Sequence, residues 1–281
     1  MEETRDIIQQ EESMETLVGL TNVFEGIASL RISQVKNQVV QSKQFFSELW
    51  NIYQQIRVEK EFHFGRGGAE AINKDLIIIV TAEGGFSGDI DEKLINLMLR
   101  EYDAKKHDII VIGHHGALRL VQSGVHFLHY FKLPFKDTDI NVAPLVESVK
   151  KYRTTVVYYQ TYVSLMVQDV KRIELLSAVQ EQGAEIKPGQ EEISERNYIF
   201  EPSTYAVVDH LEQSMIFIAL EQVILESKLA QYASRFRAMS SANDKAKSSL
   251  QAVKYTSRRV RRMKRDARQK EVLSGLRGVR L

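Results

Sequence analysis

The fold is decided by residues 209–274, which read DHLEQSMIFIALEQVILESKLAQYASRFRAMSSANDKAKSSLQAVKYTSRRVRRMKRDARQKEVLS. Neither glycine nor proline occurs between Pro202 and Gly275, so no residue in this stretch forces a helix to end. Mostly apolar residues recur at alternating steps of four and three, which is a heptad pattern. The seam consists of Leu211, Met215, Ile218, Gln222, Leu225, Leu229, Tyr232, Phe236, Met239, Asn243, Ala246, Leu250, Val253, Ser257 and Val260.

A heptad seam of this length predicts a left-handed coiled coil, because a straight helix would rotate its apolar stripe away from a partner helix. The helix would be roughly 100 Å long, whereas a compact chain of this length has a radius of gyration of only ~19 Å. We therefore expect it to protrude as a shaft. A helix folded back as a hairpin and a helical repeat remain alternatives, although no turn residues interrupt the run.

A second long helix is predicted from Leu17 to about Glu61. Its apolar stripe begins with Leu17, Leu20, Phe24 and Ile27 and continues, after a one-residue phase slip near Ala28, with Ile32, Val35, Val39, Ser42, Phe46, Leu49, Tyr53 and Ile56. Gly19 and Gly26 are costly inside a helix and indicate close approach of another backbone. We expect the two helices to pair in antiparallel fashion, with polar seam residues setting the register. In the competing interpretation each helix pairs with a separate protein.

The composition is that of a soluble protein with one globular core and helical extensions. The chain has 281 residues, 43% hydrophobic and 27% charged, and it lacks cysteine, which excludes disulfides and thiolate chemistry. No apolar run is long enough to span a membrane. The acidic start, Met1 to Glu15, is unlike a signal or transit peptide, and we expect a cytoplasmic bacterial protein. From Arg258 onward ten basic and two acidic residues give +8, which leaves −7 of the total +1 elsewhere.

The middle of the chain alternates strand and helix patterns, which predicts an inserted domain with a mainly parallel sheet covered on both faces. The predicted strands are 75–80, 108–112, 125–131, 154–162 and 164–175, of which the last two form a hairpin-like pair. The predicted helices are 90–102, 117–122 and 140–152, and 180–196 is predicted as a surface loop. Ser203 or Thr204 can cap the last helix. The predicted domains are the N-terminal coiled-coil helix 1–62, a linker 63–74, the α/β domain 75–200 and the C-terminal coiled-coil helix 201–281.

The sequence offers little support for a catalytic or metal site. The glycine-rich turn from Glu83 to Asp91 lacks the Lys-Ser/Thr of a Walker loop and the spacing of a dinucleotide fingerprint. His114 and His115 are adjacent, so their side chains diverge, and His126 and His129 point to opposite faces of a predicted strand. We expect no catalytic residue, no metal and no cofactor.

The basic C-terminal end has two interpretations. It could bind nucleic acid or an anionic membrane surface, but its basic residues surround the helix instead of forming one face, and Tyr255 is the lone aromatic residue available for base stacking. The interpretation we prefer is a shaft end that faces protein. A stand-alone coiled-coil scaffold and a nucleic-acid-binding protein remain as rival functions.

Five segments, spread over nearly the whole chain, match the sequence pattern of one protein family. Residues 20–29, LTNVFEGIAS, resemble the family's "ITKAMEMVAAS" and retain Thr21, Glu25 and Ala28. The turn TAEGGFSGDID at 81–91 is similar to "TDRGLCGGLN" and retains Gly85 and Gly88. Phe200-Glu-Pro202 is similar to "YEP", 233–246 to "AARMVAMKAATDNA", and 271–275, EVLSG, to the terminal "EIVSG". In these segments the chain resembles the gamma subunit of F-type ATP synthase.

The chain also departs from the family pattern at several positions. Gly84 stands where the turn has arginine, Ser87 where it has cysteine, and Asn22 where the N-terminal helix has lysine. Ala267 and Arg268 replace the Gln-Glu pair of "TQELTEIVSG", whose polar side chains help the family's shaft engage loops of the catalytic subunits.

The resemblance implies a non-catalytic rotor shaft that turns inside a hexamer of alpha and beta subunits, while the α/β domain joins the epsilon subunit and the membrane c-ring. It implies peripheral association with the cytoplasmic face of a bacterial plasma membrane, and no nucleic acid. Gly85 and Gly88 are the expected structural turn residues. The expected rotor contacts are Thr21, Glu25, Arg235, Met239, Asp244, Arg258, Arg259, Arg262, Arg265 and Arg268.

Overall fold

The two chain ends form long helices, and the segment between them forms a five-stranded sheet. The computed structural model describes residues 2–56, 72–134, 136–137, 140–186, 193 and 198–278. The elements are α1 (Glu2–Gln55), β1 (Ile72–Val80), α2 (Ile90–Glu101), β2 (His107–Ile112), α3 (His114–Gln122), β3 (His129–Phe131), α4 (Ala143–Val149), β4 (Tyr152–Tyr162), β5 (Gln168–Glu174), α5 (Leu175–Ala184) and α6 (Thr204–Gly278).

The chain divides into two compact units. The helical unit contains Met1–Ile27 and Phe236–Leu281, and the α/β unit contains Ala28–Arg235. Both α1 and α6 contribute to each unit. The predicted fold class, an antiparallel pair of terminal helices with an inserted, mainly parallel α/β domain, is confirmed.

The sheet of the α/β unit has the order β3-β2-β1-β4-β5. β1 pairs in parallel with β2 and β4, β2 pairs in parallel with β3, and β5 runs antiparallel to β4. β1 is central and its five residues from Leu76 to Val80 are buried, because helices cover both faces. Leu76, Ile78 and Val80 point to the core shared with α1, α4, α5 and α6, whereas Ile77 and Ile79 point to the core under α2 and α3.

The α6 seam is turned inward along its length in both units. None of its fifteen predicted positions is exposed. In the α/β unit Leu225 and Leu229 pack with Val35 and Val39 of α1. Ser203 caps the helix, since its Oγ accepts a hydrogen bond from the backbone N–H of Ala206 at 3.2 Å.

The predicted inner stripe of α1 is wrong at its N-terminal end. Leu17, Leu20 and Ile27 are 42%, 50% and 49% exposed, whereas Thr21 is 5% and Ala28 1% exposed. One heptad series of buried and half-buried positions runs without a phase slip along α1 and ends at Ile56, the residue after it: Ile7, Glu11, Met14, Val18, Thr21, Glu25, Ala28, Ile32, Val35, Val39, Ser42, Phe46, Leu49, Tyr53 and Ile56. Two stripes compete on this helix, and the more polar one faces α6 because Asn243 of α6 hydrogen-bonds with it.

Several predicted element boundaries are also wrong. α1 begins at Glu2 instead of Leu17, and β1 begins at Ile72, inside the predicted linker, of which residues 63–71 lie outside the described part of the chain. β3 covers 129–131 without 125–128, so His126 is not in a strand. α3 begins at His114, α4 covers 143–149 only, and β5 begins at Gln168.

Helix α5 was not predicted. Leu175 was the last residue of the predicted strand 164–175 and residues 180–184 began the predicted loop 180–196, but Leu175–Ala184 form a helix whose Leu175, Val179 and Gly183 are buried at intervals of four. Gly183 lies against Trp50 of α1, and a Cβ added there would overlap the indole ring. The glycine that suggested a loop therefore permits close packing of two helices.

Candidate functional site

The glycine-rich turn after β1 is bound to α6 through side chains of α6. Arg235 donates a hydrogen bond from Nε to the carbonyl oxygen of Gly85 at 3.0 Å and another from a terminal nitrogen to that of Gly84 at 3.2 Å. Ser234 Oγ donates to the carbonyl oxygen of Ser87 at 2.6 Å. Burial lowers the pKa of Arg235. This predicted rotor contact thus binds a turn of its own chain.

Two residues of the turn have left-handed backbone geometry. Gly88 has φ +68° and Phe86 has φ 68°. A Cβ at Gly88 would come within 3.3 Å of Ser234 Oγ, while at Gly85 it would meet nothing within 4 Å. Glycine is therefore needed at Gly88 for both conformation and space, and Phe86 holds a conformation unusual for a bulky residue with its ring 63% exposed.

A buried carboxylate lies directly behind this turn. Asp91 Oδ1 accepts hydrogen bonds from the backbone N–H of Ala82 at 3.2 Å and from Gln160 Nε2 at 2.6 Å. Its Oδ2 lies 3.3 Å from Ser87 Oγ and 2.9 Å from His115 Nδ1. An ionised carboxylate only accepts hydrogen bonds, so four donors satisfy it although Asp91 is 5% exposed.

A second buried charge joins both long helices to the loop before α4. Lys228 Nζ of α6 lies 2.6 Å from Asp137 Oδ1, and the two side chains are 5% and 3% exposed. Asp137 also accepts from Arg31 of α1 at 3.4 Å and from the Tyr232 hydroxyl at 3.2 Å. Burial, with Asp137 adding to it, raises the pKa of Tyr232 to about 12. A buried charge pair with several hydrogen bonds specifies one arrangement of these elements.

Polar contacts set the register in the helical unit. Thr21 Oγ1 lies 3.3 Å from Asn243 Oδ1, and Asn243 Nδ2 donates to Asn22 Oδ1 at 2.6 Å. Toward the chain ends Lys254 pairs with Glu15 at 2.7 Å and Arg261 with Glu11 at 3.8 Å. These pairs confirm that the helices are antiparallel.

The predicted rotor contacts of the helical unit divide into buried and exposed residues. Thr21 and Met239 are buried between the helices and Glu25 is half-buried, so these three do not form an outer surface. Asp244 is exposed on α6. The basic candidates are all exposed: Arg258, Arg259, Arg262, Arg265 and Arg268.

Three residues of the predicted inner stripe of α1, Leu17, Leu20 and Ile27, form an exposed apolar stripe together with Val23. The four side chains are between 42% and 59% exposed. We name these four residues the outer stripe. Runs of large exposed apolar side chains are typical of interaction surfaces. The spacing in the sequence revealed the stripe, but the pattern alone could not tell its outward orientation from an inward one.

The described residues hold neither a metal cluster nor a membrane span. No group of three or more His, Asp and Glu side chains among them is arranged to hold a metal ion. None of their helices combines the length and the apolar character that crossing a bilayer requires.

Comparison with known proteins identifies the family. The profile of a family described as ATP synthase matches residues 3–276. The chain is 21% identical over 273 residues to the ATP synthase gamma chain of Chlorobaculum parvum, with 91% of each chain covered. It is 24% identical over 259 residues to that of Cytophaga hutchinsonii, covering 86% of this chain and 87% of the relative. The chain belongs to the ATP synthase gamma family.

Solved structures share the fold of this gamma-family chain. One is a chain of the Euglena gracilis mitochondrial ATP synthase, solved as an OSCP/F1/c-ring assembly, with a TM-score of 0.65 at 15% identity. The match covers 98% of this chain and 94% of the Euglena chain. A chain of the central stalk and c-ring of the Tetrahymena thermophila enzyme has a TM-score of 0.56 at 13% identity, covering 79% and 99%.

The departures from the family pattern now have positions in this gamma-family chain. A Cβ at Gly84 would make an ordinary van der Waals contact with Arg235 of α6, at 3.6 Å. Ser87 is buried beside Asp91. Asn22 accepts a hydrogen bond from Asn243. Ala267 and Arg268 are exposed on α6.

Proposed function

We propose that this chain is the central rotor shaft of an F-type ATP synthase, a non-catalytic subunit that couples ion flow through the membrane ring to ATP synthesis or hydrolysis on the alpha/beta hexamer. The observation that carries the proposal is the family match over residues 3–276, nearly the whole chain. The fold supports it, since a 75-residue helix, α6, pairs with α1 and both helices also contribute to the α/β unit.

The shaft role requires a helix pair that transmits torque without changing register. The seam contains large apolar side chains, and burying each one contributes ~1.5–3 kcal/mol. Gln222, Asn243 and Ser257 interrupt it with polar groups that are buried as well. Such polar residues lower stability but allow one register only, so the pair resists sliding as well as separation.

We propose two surfaces of the helical unit as contacts with the alpha and beta subunits. The first is the outer stripe, which would place apolar area against the hexamer. The second is the set of exposed arginines from Arg258 to Arg268, together with Asp244. Thr21 and Met239 support these surfaces from inside the helix pair. Because the shaft surface is asymmetric, it would bind the three catalytic sites differently and so bias them into different states.

The proposed partners of the α/β unit are the epsilon subunit and the c-ring. This arrangement places the protein at the cytoplasmic face of a bacterial plasma membrane as a peripheral component. The choice between protons and sodium ions would be made on the membrane subunits, which lie outside this chain.

Co-expression with the cognate alpha and beta subunits tests the proposal. The wild-type chain is expected to co-purify with them and to raise their ATP hydrolysis. Leu20→Ser combined with Val23→Ser should weaken assembly about tenfold or more, because exposed apolar anchors are lost, while the melting curve of the isolated chain stays unchanged. Leu128→Ser, at an exposed residue of the α/β unit, is the matched control.

Three results would contradict the proposal. One is a wild-type chain that neither co-purifies nor changes hydrolysis. A stable dimer of the isolated chain in sedimentation would favour a coiled-coil scaffold. DNA affinity that falls steeply with salt and is lost on removal of the residues after Tyr255 would favour nucleic-acid binding.

A further inference from the structure

The Asp91 carboxylate is the hub of a buried network that extends from the sheet to α6. Gln160 of β4, which donates to Asp91, is fully buried, and its Oε1 accepts hydrogen bonds from Ser227 Oγ and from Gln231 Nε2 of α6, the latter at 3.3 Å. Gln231 Nε2 also lies 3.0 Å from Ser227 Oγ. The carboxylate is thus two hydrogen bonds away from the helix.

A second branch of the network reaches α6 through the turn. Ser87 bonds Asp91 through its hydroxyl and accepts from Ser234 of α6 through its carbonyl oxygen. Arg235 donates hydrogen bonds to the carbonyl oxygens of Gly84 and Gly85 in the same turn. Asp91 therefore positions both the strand side chain and the turn backbone that bind the helix.

His115 is the solvent-facing member of the hub. Its side chain is 33% exposed, while that of Asp91 is 8% exposed. The charged groups that act on the imidazole come from three elements: Asp91 from α2, Glu83 from the turn and Arg235 from α6. Arg119, in the last turn of α3, lies 3.3 Å from Glu92.

We propose that the His115–Asp91 pair is a proton-operated clamp, in which protonation of His115 tightens the hold of the α/β unit's turn and sheet on helix α6 and deprotonation loosens it. With a charged imidazole, the Nδ1–H bond to the ionised carboxylate is also an ion pair, whereas a neutral imidazole can contribute the hydrogen bond alone. The carboxylate is then held toward Ser87 and Gln160, which carry the effect to α6.

The electrostatics of the pair agree with this direction. The hydrogen bond to Asp91 raises the pKa of His115 from its ordinary 6.5, against a lowering by burial and by Arg235, and Glu83 adds to the rise. Because the pKa of His115 is raised in the folded state, its full contribution to stability is present below the pKa that the imidazole has in the unfolded state. That gain disappears as the pH rises through the folded-state pKa. The clamp is therefore tight in acid and loose in alkali.

The adjacent His114 provides an internal contrast. It is exposed, and it heads the same helix without touching the hub in any contact among the described residues.

The clamp rests on the proposed function only for its purpose: in a rotor it would set how rigidly the α/β unit follows α6. Its existence can be tested on the isolated chain.

Hydrogen exchange of the full-length chain tests the clamp directly. Protection of peptides covering 82–91 and 227–235, corrected for the intrinsic pH dependence of exchange, is measured at about pH 5.5 and about pH 9, on either side of the imidazole titration. We expect protection to fall roughly fivefold at the higher pH, because the imidazolium–carboxylate ion pair becomes a hydrogen bond from a neutral imidazole to the same carboxylate. Peptides of β2 are the internal control.

Three variants separate the clamp from a merely structural histidine. His115→Gln should give low protection at both pH values, and His115→Lys, which stays charged throughout, high protection at both. His114→Gln should behave as wild type. The proposal is overturned if wild-type protection is independent of pH, or if His115→Gln keeps the pH dependence.

A further measurement covers variants that lose their fold. If both His115 variants unfold, the imidazole titration of the wild-type chain is followed by NMR, and a pKa for His115 no higher than that of His114 refutes the clamp. Assembly with alpha and beta subunits is scored separately, so a failed clamp and a failed rotor assignment give different results.

Discussion

Removing the carboxylate of Asp137 should destabilise the α/β unit more than any surface ion-pair deletion. Asp137→Ala leaves the Lys228 ammonium, 5% exposed, with the Pro134 carbonyl at 3.2 Å as its remaining described acceptor. Breaking a buried pair by deleting one partner costs about 3–5 kcal/mol, because the other charge stays desolvated. Arg31 and the Tyr232 hydroxyl each lose a contact with this carboxylate as well, which places the expected loss in the upper half of that range.

Urea unfolding of the full-length chain, followed by far-UV circular dichroism, measures this loss. The control is Lys93→Ala, which removes a pair of similar length, 2.9 Å to Asp89, whose side chains are 62% and 56% exposed. We expect a change within about 0.5 kcal/mol there, since exposed pairs contribute little. Solvent exposure, and not distance, then decides the cost.

A double variant makes the reasoning falsifiable even if Asp137→Ala does not fold. Combining it with Lys228→Met removes both charges, and buried pairs replaced by apolar groups are often neutral for stability. We expect most of the lost stability to return. A loss below about 1 kcal/mol for Asp137→Ala, or no recovery in the double variant, would refute the claim that this pair is desolvated.

Three further predictions follow from packing. Gly183→Ala should cost about 1–3 kcal/mol, because the new methyl overlaps Trp50 and pushes α5 off α1. Thermal unfolding measures this loss, with the exposed Ala184→Gly as control. Equal melting temperatures for Gly183→Ala and the wild-type chain would contradict the contact. Leu229→Ala should cost about 2–5 kcal/mol in urea unfolding, since the side chain is 4% exposed, whereas Leu20→Ala at 50% exposure should leave the isolated chain unchanged; equal losses would contradict the assigned faces of the helices. Asn243→Leu should raise the melting temperature but broaden the distances between spin labels on α1 and α6, because a polar register marker is replaced by an apolar group, and narrow distributions would contradict that role.

Most of the architecture could be predicted from the sequence, because the signals were long and periodic. The α6 seam and the buried run Leu76 to Val80 follow from apolar spacing. The antiparallel pairing of the terminal helices was one of two interpretations that this spacing allowed. The family resemblance added the function, which spacing alone left open between a rotor, a scaffold and a nucleic-acid-binding protein.

The errors share a physical cause: local pattern does not reveal what a neighbouring element offers. Leu17, Leu20 and Ile27 were predicted as interior because their stripe is more apolar than that of Thr21 and Glu25. The Asn243 side chain that accepts a hydrogen bond from Thr21 lies 222 positions away in the sequence. Gly183 was read as a loop residue because the indole that needs its missing side chain lies on α1. The Asp91 hub was overlooked because its members come from α2, α3, β4 and α6.

The packing of α5 on α1 also gives the molecule an optical reporter. Trp50 is the one tryptophan of the chain, and it is 7% exposed, with its ring stacked on Phe46 at 6.0 Å between centroids. Its emission should be blue-shifted in the native state and move to the red when α5 detaches or the α/β unit opens, whereas fraying of the helical unit leaves it unchanged. A fluorimeter can therefore follow one unit while circular dichroism follows both, without adding a label.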